Sequence, residues 1–283
     1  MDPKKSVRGV QDKILEVMKY IDAICRKHGI EYYIMGGTAL GAIRHGGFIP
    51  WDDDLDIFMT PAEYEKFKAA MATDGNKKFV LQEWRTVNQH LEYAKVRMNG
   101  TTFIEQAFRN RTDLHQGIYV DIMMLHKVPE STLIQKLVYV ESKFVTLYGL
   151  SQRNRIPKST IEAILLKIMK ILPTQLMARC CYNHIYKYEG MQEGFKWCYW
   201  ITPAKFRSGL FDKHFFEEPV DIPFEDTVLY GSKHIKEYLT YRYGNYMKLP
   251  SKEQQQAAVH AMIFDTEKDY TEYINCKNGR KEI

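Results

Sequence analysis

Four aspartates stand within five positions of one short segment, and this density is the strongest chemical signal in the sequence. The segment GGTALGAIRHGGFIPWDDDLD begins at Gly36 and ends in an acidic cluster that comprises Asp52, Asp53, Asp54 and Asp56. Like charges at this spacing repel each other unless a cation balances them. Mg²⁺ is the usual partner, since it prefers carboxylate oxygens and retains positions for phosphate oxygens. The segment therefore predicts metal-assisted phosphate chemistry.

A third carboxylate stands far along the chain. Asp54 and Asp56 face the same side of a predicted strand, because side chains alternate along a strand with a period of two. Asp121 is the one charged residue in the apolar run Gly117–Leu125. These three carboxylates would hold Mg²⁺ (or Mn²⁺) and prepare a hydroxyl group for attack on a phosphate. The alternatives are an acidic turn exposed to solvent and, for Asp121, a cap on a neighbouring turn.

The glycines upstream of the aspartates predict a phosphate site. Gly36, Gly37 and Thr38 follow a predicted strand, and Thr38 can cap a short helix that runs to about His45. Backbone N–H groups at the positive end of such a helix bind phosphate. The alternative is a tight turn that needs glycine for a positive φ. A double glycine followed by Asp-x-Asp on the next strand repeats the plan of nucleotidyltransferases.

Basic residues near these motifs could bind the donor. Arg44 can hold a phosphate as a fork of hydrogen-bond donors, and His45 could stack on a base or position a phosphate. Lys95 and Arg97 share one face of a predicted strand and could neutralise charge on a leaving nucleotide. The alternatives are structural roles for the first pair and a solvated strand face for the second. Trp51 either packs under the glycine loop or faces a ligand cation.

The elements that must position these residues alternate in type. Amphipathic spacing predicts a helix ending near Gly29, and Thr60-Pro61 begins another that runs to about Ala72. The other predicted elements are strands over Glu31–Met35, Leu55–Met59, Phe79–Trp84, Tyr93–Met98 and Gly117–Leu125, and helices over 131–148, 159–171, 174–189 and 232–243.

These elements predict an α/β (α+β) fold, a mixed sheet with flanking helices and a helical C-terminal extension. We place a division near residue 128, where Val128-Pro129 precedes the change of pattern. Residues 1–128 would form the catalytic core, and residues 129–283 a mainly helical part that completes the acceptor side.

Composition narrows the class of protein. The 283 residues are 45% hydrophobic with a net charge of +5, which is ordinary for a globular protein and compatible with anionic partners. Without a long basic run, we do not expect a nucleic-acid partner. The five scattered cysteines contain no Cys-x-x-Cys pair, which argues against a zinc site or a disulfide framework. No signal peptide and no run of about 20 apolar residues is present, so we expect a cytoplasmic protein.

One helical stretch could contact a membrane. Residues 161–172 are mostly Ile and Leu but include Lys167 and Lys170, a composition compatible with a membrane interface. The alternative is a helix that faces the core.

The whole pattern resembles the LicD family, which transfers phosphocholine to bacterial surface glycans and is related to the fukutin proteins. Besides the first segment, YAKVRMNGTTF, GIYVDIMML and FEDTVLYGSKHIKEYLTYRYGNYMKLP resemble blocks of that family. Two positions depart from it: Met123-Met124 stands where Phe-Pro is expected, and only His260 remains of a pair of histidines. Both departures bear on the acceptor.

The resemblance implies a nucleotidyltransferase-like fold and CDP-choline as the donor. It implies Asp54, Asp56 and Asp121 as metal ligands and Asp52 as a supporting acid, with Asp121 or Asp52 accepting the hydroxyl proton. The acceptor would be a glycan precursor of teichoic acid, lipopolysaccharide or capsule. A lipid-linked acceptor would make peripheral contact with the inner face of the cytoplasmic membrane useful.

Three alternatives stay open at this point. The chain could transfer another alcohol phosphate, such as ribitol or glycerol phosphate, from its CDP carrier. It could use Asp-x-Asp to bind a nucleotide sugar and transfer the sugar. It could also be a non-catalytic glycan-binding or scaffold protein.

Overall fold

Helices pack against mixed β-sheets in the computed structural model, which describes residues 6–84, 92–108, 111–152, 159–171, 174–256 and 260–275. The predicted α/β class is confirmed. The helices are α1 (Val7–His28), α2 (Gly36–His45), α3 (Pro61–Thr73), α4 (Thr132–Gln152), α5 (Thr160–Ile171), α6 (Thr174–Tyr186), α7 (Ile235–Tyr243), α8 (Lys252–Gln256) and α9 (Tyr270–Asn275). The strands are β1 (Tyr33–Ile34), β2 (Asp56–Met59), β3 (Phe79–Gln82), β4 (Tyr93–Met98), β5 (Thr102–Glu105), β6 (Tyr119–Met124), β7 (His126–Pro129), β8 (Phe195–Cys198), β9 (Leu210–Phe211), β10 (Pro219–Phe224), β11 (Thr227–Ser232) and β12 (Ala261–Asp265).

The central sheet has the strand order β1-β2-β6-β4-β3. Strands β2 and β6 run parallel, whereas the other neighbouring pairs are antiparallel. The register places Asp56 of β2 opposite Asp121 of β6, and Asp121 opposite Lys95 of β4. Three charged residues far apart in the sequence thus form one row across the middle of the sheet.

Helix α1 covers the sheet through one apolar stripe. Ser6 caps its start by accepting a hydrogen bond from the N–H of Gly9, and Gly29 ends it with a φ of 62°. This end point confirms the sequence prediction, because glycine takes a left-handed conformation at little cost. Helix α1 packs on α3, β4 and β6. The stripe includes Val10, Ile14, Val17, Met18 and Ile21.

Helix α2 begins earlier than predicted. Its N-cap is Met35, and Gly36 is already helical with a φ of 54°. The expectation that Thr38 caps the helix is wrong: Thr38 lies inside the first turn, and its Oγ1 accepts a hydrogen bond of 2.9 Å from the N–H of Asp56. Glycine permits a start that a side chain would resist, and the threonine ties α2 to β2 instead.

The second half of the chain is helical only in its first part. Helices α4, α5 and α6 follow the prediction, but strands occupy much of the sequence between residues 195 and 265. Strands β8 and β9 continue the sheet that β7 begins, β10 pairs with β11, and β12 returns to pair with β5. The predicted division at residue 128 falls inside β7. Residues on both sides of it share one core, as the ring contacts of Phe58 with Tyr199, Phe211 and Phe216 illustrate.

Helix α5 turns most of its apolar residues outward. It buries Leu166 and Met169 but exposes Ile161, Ile164 and Ile168, so the core-facing alternative holds for only one side of the helix. Across the described ranges, none of the helices has both the length and the apolar character that crossing a bilayer requires.

Candidate active site

A row of charged side chains crosses the central sheet from β2 through β6 to β4. Asp56 and Asp121 pair in register, and Lys95 approaches Asp121 from the other side. Lys95 Nζ lies 2.8 Å from Asp121 Oδ1 and 3.0 Å from Oδ2. The same nitrogen lies 3.3 Å from the centroid of the Tyr119 ring. Lys95 Nζ also lies 3.7 Å from Glu105 Oε1, so it is the counter-ion of Asp121 first and of Glu105 at a longer distance.

Asp52 and Asp54 meet His260, which the chain brings from its far end. One potential ligand atom of each lies within 4.8 Å of the other two. Asp53 points elsewhere: it is 2% exposed and accepts hydrogen bonds from the backbone N–H groups of His260 and Ala261. His260 Nδ1 lies 3.0 Å from Asp53 Oδ1 and 3.5 Å from Asp54 Oδ2. Asp53 thus anchors β12, whereas Asp52, Asp54 and the imidazole form a group that could hold a metal ion.

The carboxylates of this cluster resist ionisation together. Burial raises the pKa of Asp52 to about 8, and the charge of Asp54 adds to the shift. Burial, followed by the charges of Asp54 and Asp121, raises the pKa of Asp56 well above its ordinary value. Burial also raises the pKa of Asp121, although Lys95 opposes the shift. The cluster therefore favours any cation that can balance it.

The donor atoms suit a hard divalent cation. Carboxylate oxygens are the ligands that Mg²⁺ and Mn²⁺ prefer, while imidazole is more typical of zinc and later transition metals. Among the residues that the structure describes, Asp121 Oδ1 is buried and accepts no hydrogen bond, despite its closeness to Lys95. The ammonium group of Lys95, 2.8 Å away, balances the charge of this oxygen. The assignment of Asp54, Asp56 and Asp121 as metal ligands stays a prediction, to which the geometry adds Asp52 and His260.

The start of α2 stands against the acidic cluster. A Cβ atom added to Gly37 would lie 3.0 Å from Asp52 Oδ2, so a side chain there would have to displace the Asp52 carboxylate. The N–H of Gly36 donates to Tyr238 Oη at 3.1 Å. The N–H groups of Gly37 and Thr38 belong to the first turn, which has no partners for them within the helix. The positive end of α2 and the carboxylates therefore occupy one place, and phosphate binding by Gly36, Gly37 and Thr38 stays a prediction.

The other predicted phosphate ligands lie apart from this place. Arg44 and His45 end α2, which has 10 residues, so a helix length of about 15 Å separates them from Gly36. Arg44 donates to His45 Nε2 at 2.9 Å and to the carbonyl of Tyr246 at 3.1 Å. Burial, and then the charge of Arg44, lowers the pKa of His45. These contacts support a structural role, and the predicted donor contact stays untested.

Arg97 shares a face with Lys95, as predicted, but its side chain forms hydrogen bonds within the protein. It is 2% exposed and donates to Gln82 Oε1 and to the carbonyl of Gly117. Its guanidinium carbon lies 4.7 Å from the centroid of the Tyr119 ring. Arg97 and Lys95 both contact the Tyr119 ring, and Arg97 is held within the sheet by its own hydrogen bonds.

Two residues near the cluster were not predicted as site residues. From the sequence, His260 had no predicted role beyond being the one histidine left of an expected pair. In the structure, its hydrogen bond to Asp53 raises its pKa to about 9. Arg242 of α7 donates to Tyr243 Oη, and that hydroxyl would lie 3.7 Å from a Cβ added to Gly36. Within the described ranges, Arg242 Nη1 is buried without a hydrogen-bond partner. The signal for Arg242 was its place in the block YRYGNYM, to which no role was given.

A separate cavity of about 450 Å³ lies at the other end of β1 and β2. Thr60, which lines it, is four residues beyond Asp56, or about 13 Å along an extended strand. The cavity is therefore distinct from the carboxylate site. Its further lining residues include Glu31, Tyr33, Glu63, Lys127 and Trp197.

Comparison with known proteins places this site in context. Residues 29–158 match the family described as LicD/FKTN/FKRP, nucleotidyltransferase domain. The chain is 27% identical over 259 residues to the lipopolysaccharide cholinephosphotransferase LicD of Haemophilus influenzae, covering 89% of this chain and 96% of that protein. It is also 43% identical over 42 residues to the ribitol 5-phosphate transferase FKRP of Mus musculus, covering 15% of this chain and 8% of FKRP. An uncharacterised protein of Rickettsia prowazekii is 26% identical over 140 residues, which are 48% of this chain and 49% of that protein.

Proposed function

Because the chain carries a nucleotidyltransferase domain of the LicD/FKTN/FKRP family, we propose that it is a phosphotransferase that moves phosphocholine from CDP-choline to a hydroxyl group of a bacterial cell-surface glycan. The observation that supports this proposal most is the closeness of Gly37 to Asp52: Asp52 Oδ2 lies 3.0 Å from the position that a Cβ atom of residue 37 would occupy. It joins a helix end that suits phosphate to a carboxylate cluster that suits a divalent cation.

The chain's own residues would perform three tasks in the transfer. The N–H groups of Gly37 and Thr38 receive the donor phosphates at the positive end of α2. The acceptor oxygen forms a bond to the phosphorus atom that bears choline, while the bond from that atom to the bridging oxygen breaks and CMP leaves with the electron pair. The proton of the acceptor hydroxyl passes to Asp121 or Asp52. Positioning and charge neutralisation supply most of the rate.

Asp54, Asp56 and Asp121 would hold Mg²⁺ or Mn²⁺, with Asp52 and His260 beside them. The cation would draw charge from the phosphate oxygens. Arg242 would add a fixed positive charge near the start of α2, where its Nη1 has no partner among the described residues. These assignments account for the excess of negative charge in the cluster.

Our proposal for the acceptor is based on the relative from Haemophilus influenzae, which this chain matches over nearly the full length of both proteins. That relative is named for phosphocholine transfer to lipopolysaccharide, so we propose a glycan precursor of lipopolysaccharide, teichoic acid or capsule. We place the reaction in the cytoplasm, at the inner face of the membrane where a lipid-linked acceptor would be reached. The match to FKRP favours one second candidate, transfer of ribitol phosphate from CDP-ribitol.

A donor panel tests the proposal. The purified chain is incubated with Mg²⁺, a lipopolysaccharide or teichoic acid acceptor, and CDP-choline, CDP-ribitol or CDP-glycerol, and CMP release is measured with and without a chelator. We expect chelator-sensitive release from CDP-choline and, in Asp54→Asn, a loss on the order of a thousandfold. Asp226→Asn, a matched change at an exposed carboxylate, should leave the rate unchanged. Release from CDP-ribitol alone would move the function to the second candidate, and release from none would refute both.

A further inference from the structure

Three helices of the second half expose apolar side chains in stripes. On α5, Ile161, Ile164, Leu165 and Ile168 follow the spacing of one helical face, and Ile161 is 72% exposed. Monomeric proteins seldom expose so many large apolar residues together. We therefore expect another macromolecule or a lipid phase to cover this stripe.

The helices packed beside α5 repeat this feature. Helix α4 contacts both α5 and α6. On α4 the exposed residues Leu133, Leu137 and Val140 also share one face, and α6 exposes Leu176 and Met177. We call this surface of α4, α5 and α6 the apolar helical face.

Positive charges predominate around the apolar helical face. Exposed basic side chains accompany it on all three helices, namely Lys136 on α4, Lys167 and Lys170 on α5, and Arg179 on α6. Of the two glutamates in these helices, Glu141 is paired with His184 at 2.7 Å. By sequence, residues 132–186 hold eight lysines and arginines against two glutamates, so this fifth of the chain accounts for its whole positive excess.

We propose that the apolar helical face docks on an anionic lipid surface. The isoleucine and leucine side chains enter the boundary of the acyl chains, while Lys136 and Lys167, which flank the stripes of α4 and α5, contact the phosphate headgroups. A second copy of this chain fits less well, because both surfaces would carry positive charge. The proposal rests on this surface and not on the donor chemistry, although it would bring the carboxylate site to acceptors held in a membrane.

Vesicle sedimentation of the full chain tests the proposal. We expect binding to mixed phosphatidylcholine and phosphatidylglycerol vesicles, little binding to phosphatidylcholine alone, and a decrease with added salt. Lys136→Gln with Lys167→Gln should weaken binding about 25-fold, since each lysine near an anionic surface contributes about a factor of five. Ile164→Glu with Ile168→Glu should abolish binding.

Controls separate lipid docking from other outcomes. Val228→Glu, which places the same charge on an exposed apolar position of β11, should bind as the unaltered chain does. Thermal melting checks that each variant is folded, and CMP release without vesicles should be unaffected by the α4 and α5 variants. Equal binding by the Ile164→Glu, Ile168→Glu variant would overturn the proposal. A second result would also overturn it. In that case the unaltered chain forms a concentration-dependent dimer and does not bind vesicles, and the Ile164→Glu, Ile168→Glu variant is monomeric.

Discussion

Asp53 and Asp54 are neighbours with opposite expected roles, and replacing each by alanine separates them. Asp53 is 2% exposed, and its carboxylate accepts from the N–H groups of His260 and Ala261 and from His260 Nδ1. Asp53→Ala leaves two backbone donors without this acceptor at the start of β12. Each donor left unsatisfied costs about 1–3 kcal/mol, but water can reach the exposed His260 and satisfy part of this loss. We therefore expect the free energy of unfolding to fall by about 3 kcal/mol.

Asp54→Ala should have the reverse effect. Burial and the charges of Asp121 and Asp53 raise the pKa of Asp54, although His260 opposes the shift. Removing this carboxylate relieves repulsion, so stability should be unchanged or higher, while CMP release and Mg²⁺ binding are lost. The assays are thermal melting without metal, calorimetric titration with Mg²⁺, and CMP release from CDP-choline.

The reasoning predicts a crossed outcome. The melting temperature of Asp53→Ala should fall by roughly 5–10 °C, and that of Asp54→Ala should not. Added Mg²⁺ should stabilise the unaltered chain and Asp53→Ala, but not Asp54→Ala, because only a cation bound to the folded state raises its stability. Equal destabilisation by both changes would refute the division of roles, as would Mg²⁺ stabilisation of Asp54→Ala.

Three further predictions concern other parts of the structure. His126 lies buried between Glu92 and Glu189, which outweigh the effect of burial and raise its pKa to about 10; the stability that His126 adds over His126→Gln, measured by urea unfolding, should be complete below about pH 6.5 and decline as the pH rises toward 10. Gly41→Ala would press its Cβ against the carbonyl of Gly47, so we expect a loss of about 1–3 kcal/mol, whereas a Cβ at Gly190 meets nothing within 4 Å and Gly190→Ala should be close to neutral. Arg242→Gln should raise the KM for the CDP donor about tenfold or more, with a smaller effect on kcat, if its free Nη1 binds a donor phosphate; an unchanged KM would contradict that role.

Local patterns predicted what depends on near neighbours in the sequence. The alternation of Leu55, Asp56 and Ile57 indicated a strand with a buried face, and the single charge at Asp121 indicated another. The parallel register of β2 and β6 then brought the two aspartates together. The apolar runs could predict two buried strands because burial leaves a periodic trace in the sequence. The apolar runs could not predict that β2 pairs with β6, because this pairing depends on the order of the strands in the sheet.

Proximity along the chain was misleading where a helix intervened. Arg44 and His45 stand close to the aspartates in the sequence, yet α2 carries them a helix length from the glycines at its start. Conversely, Asp53 and His260 are 207 residues apart and form a hydrogen bond. That contact depends on the pairing of β12 with β5, for which a five-residue strand offers too little periodic signal.

The charge balance of the site explains why these separate elements must converge. Asp52, Asp54, Asp56 and Asp121 gather on one side, and Lys95 and His260 are the cationic side chains that the structure places in contact with the cluster. A diphosphate donor would bring further negative charge, so under the proposed function a divalent cation and the positive end of α2 would have to act together. The hydrogen bond from Asp56 to Thr38 fixes α2 to β2, which keeps the helix end and the carboxylates in register. We therefore propose that the glycines and the aspartates of the opening segment bind the donor together, and that neither group would hold it alone.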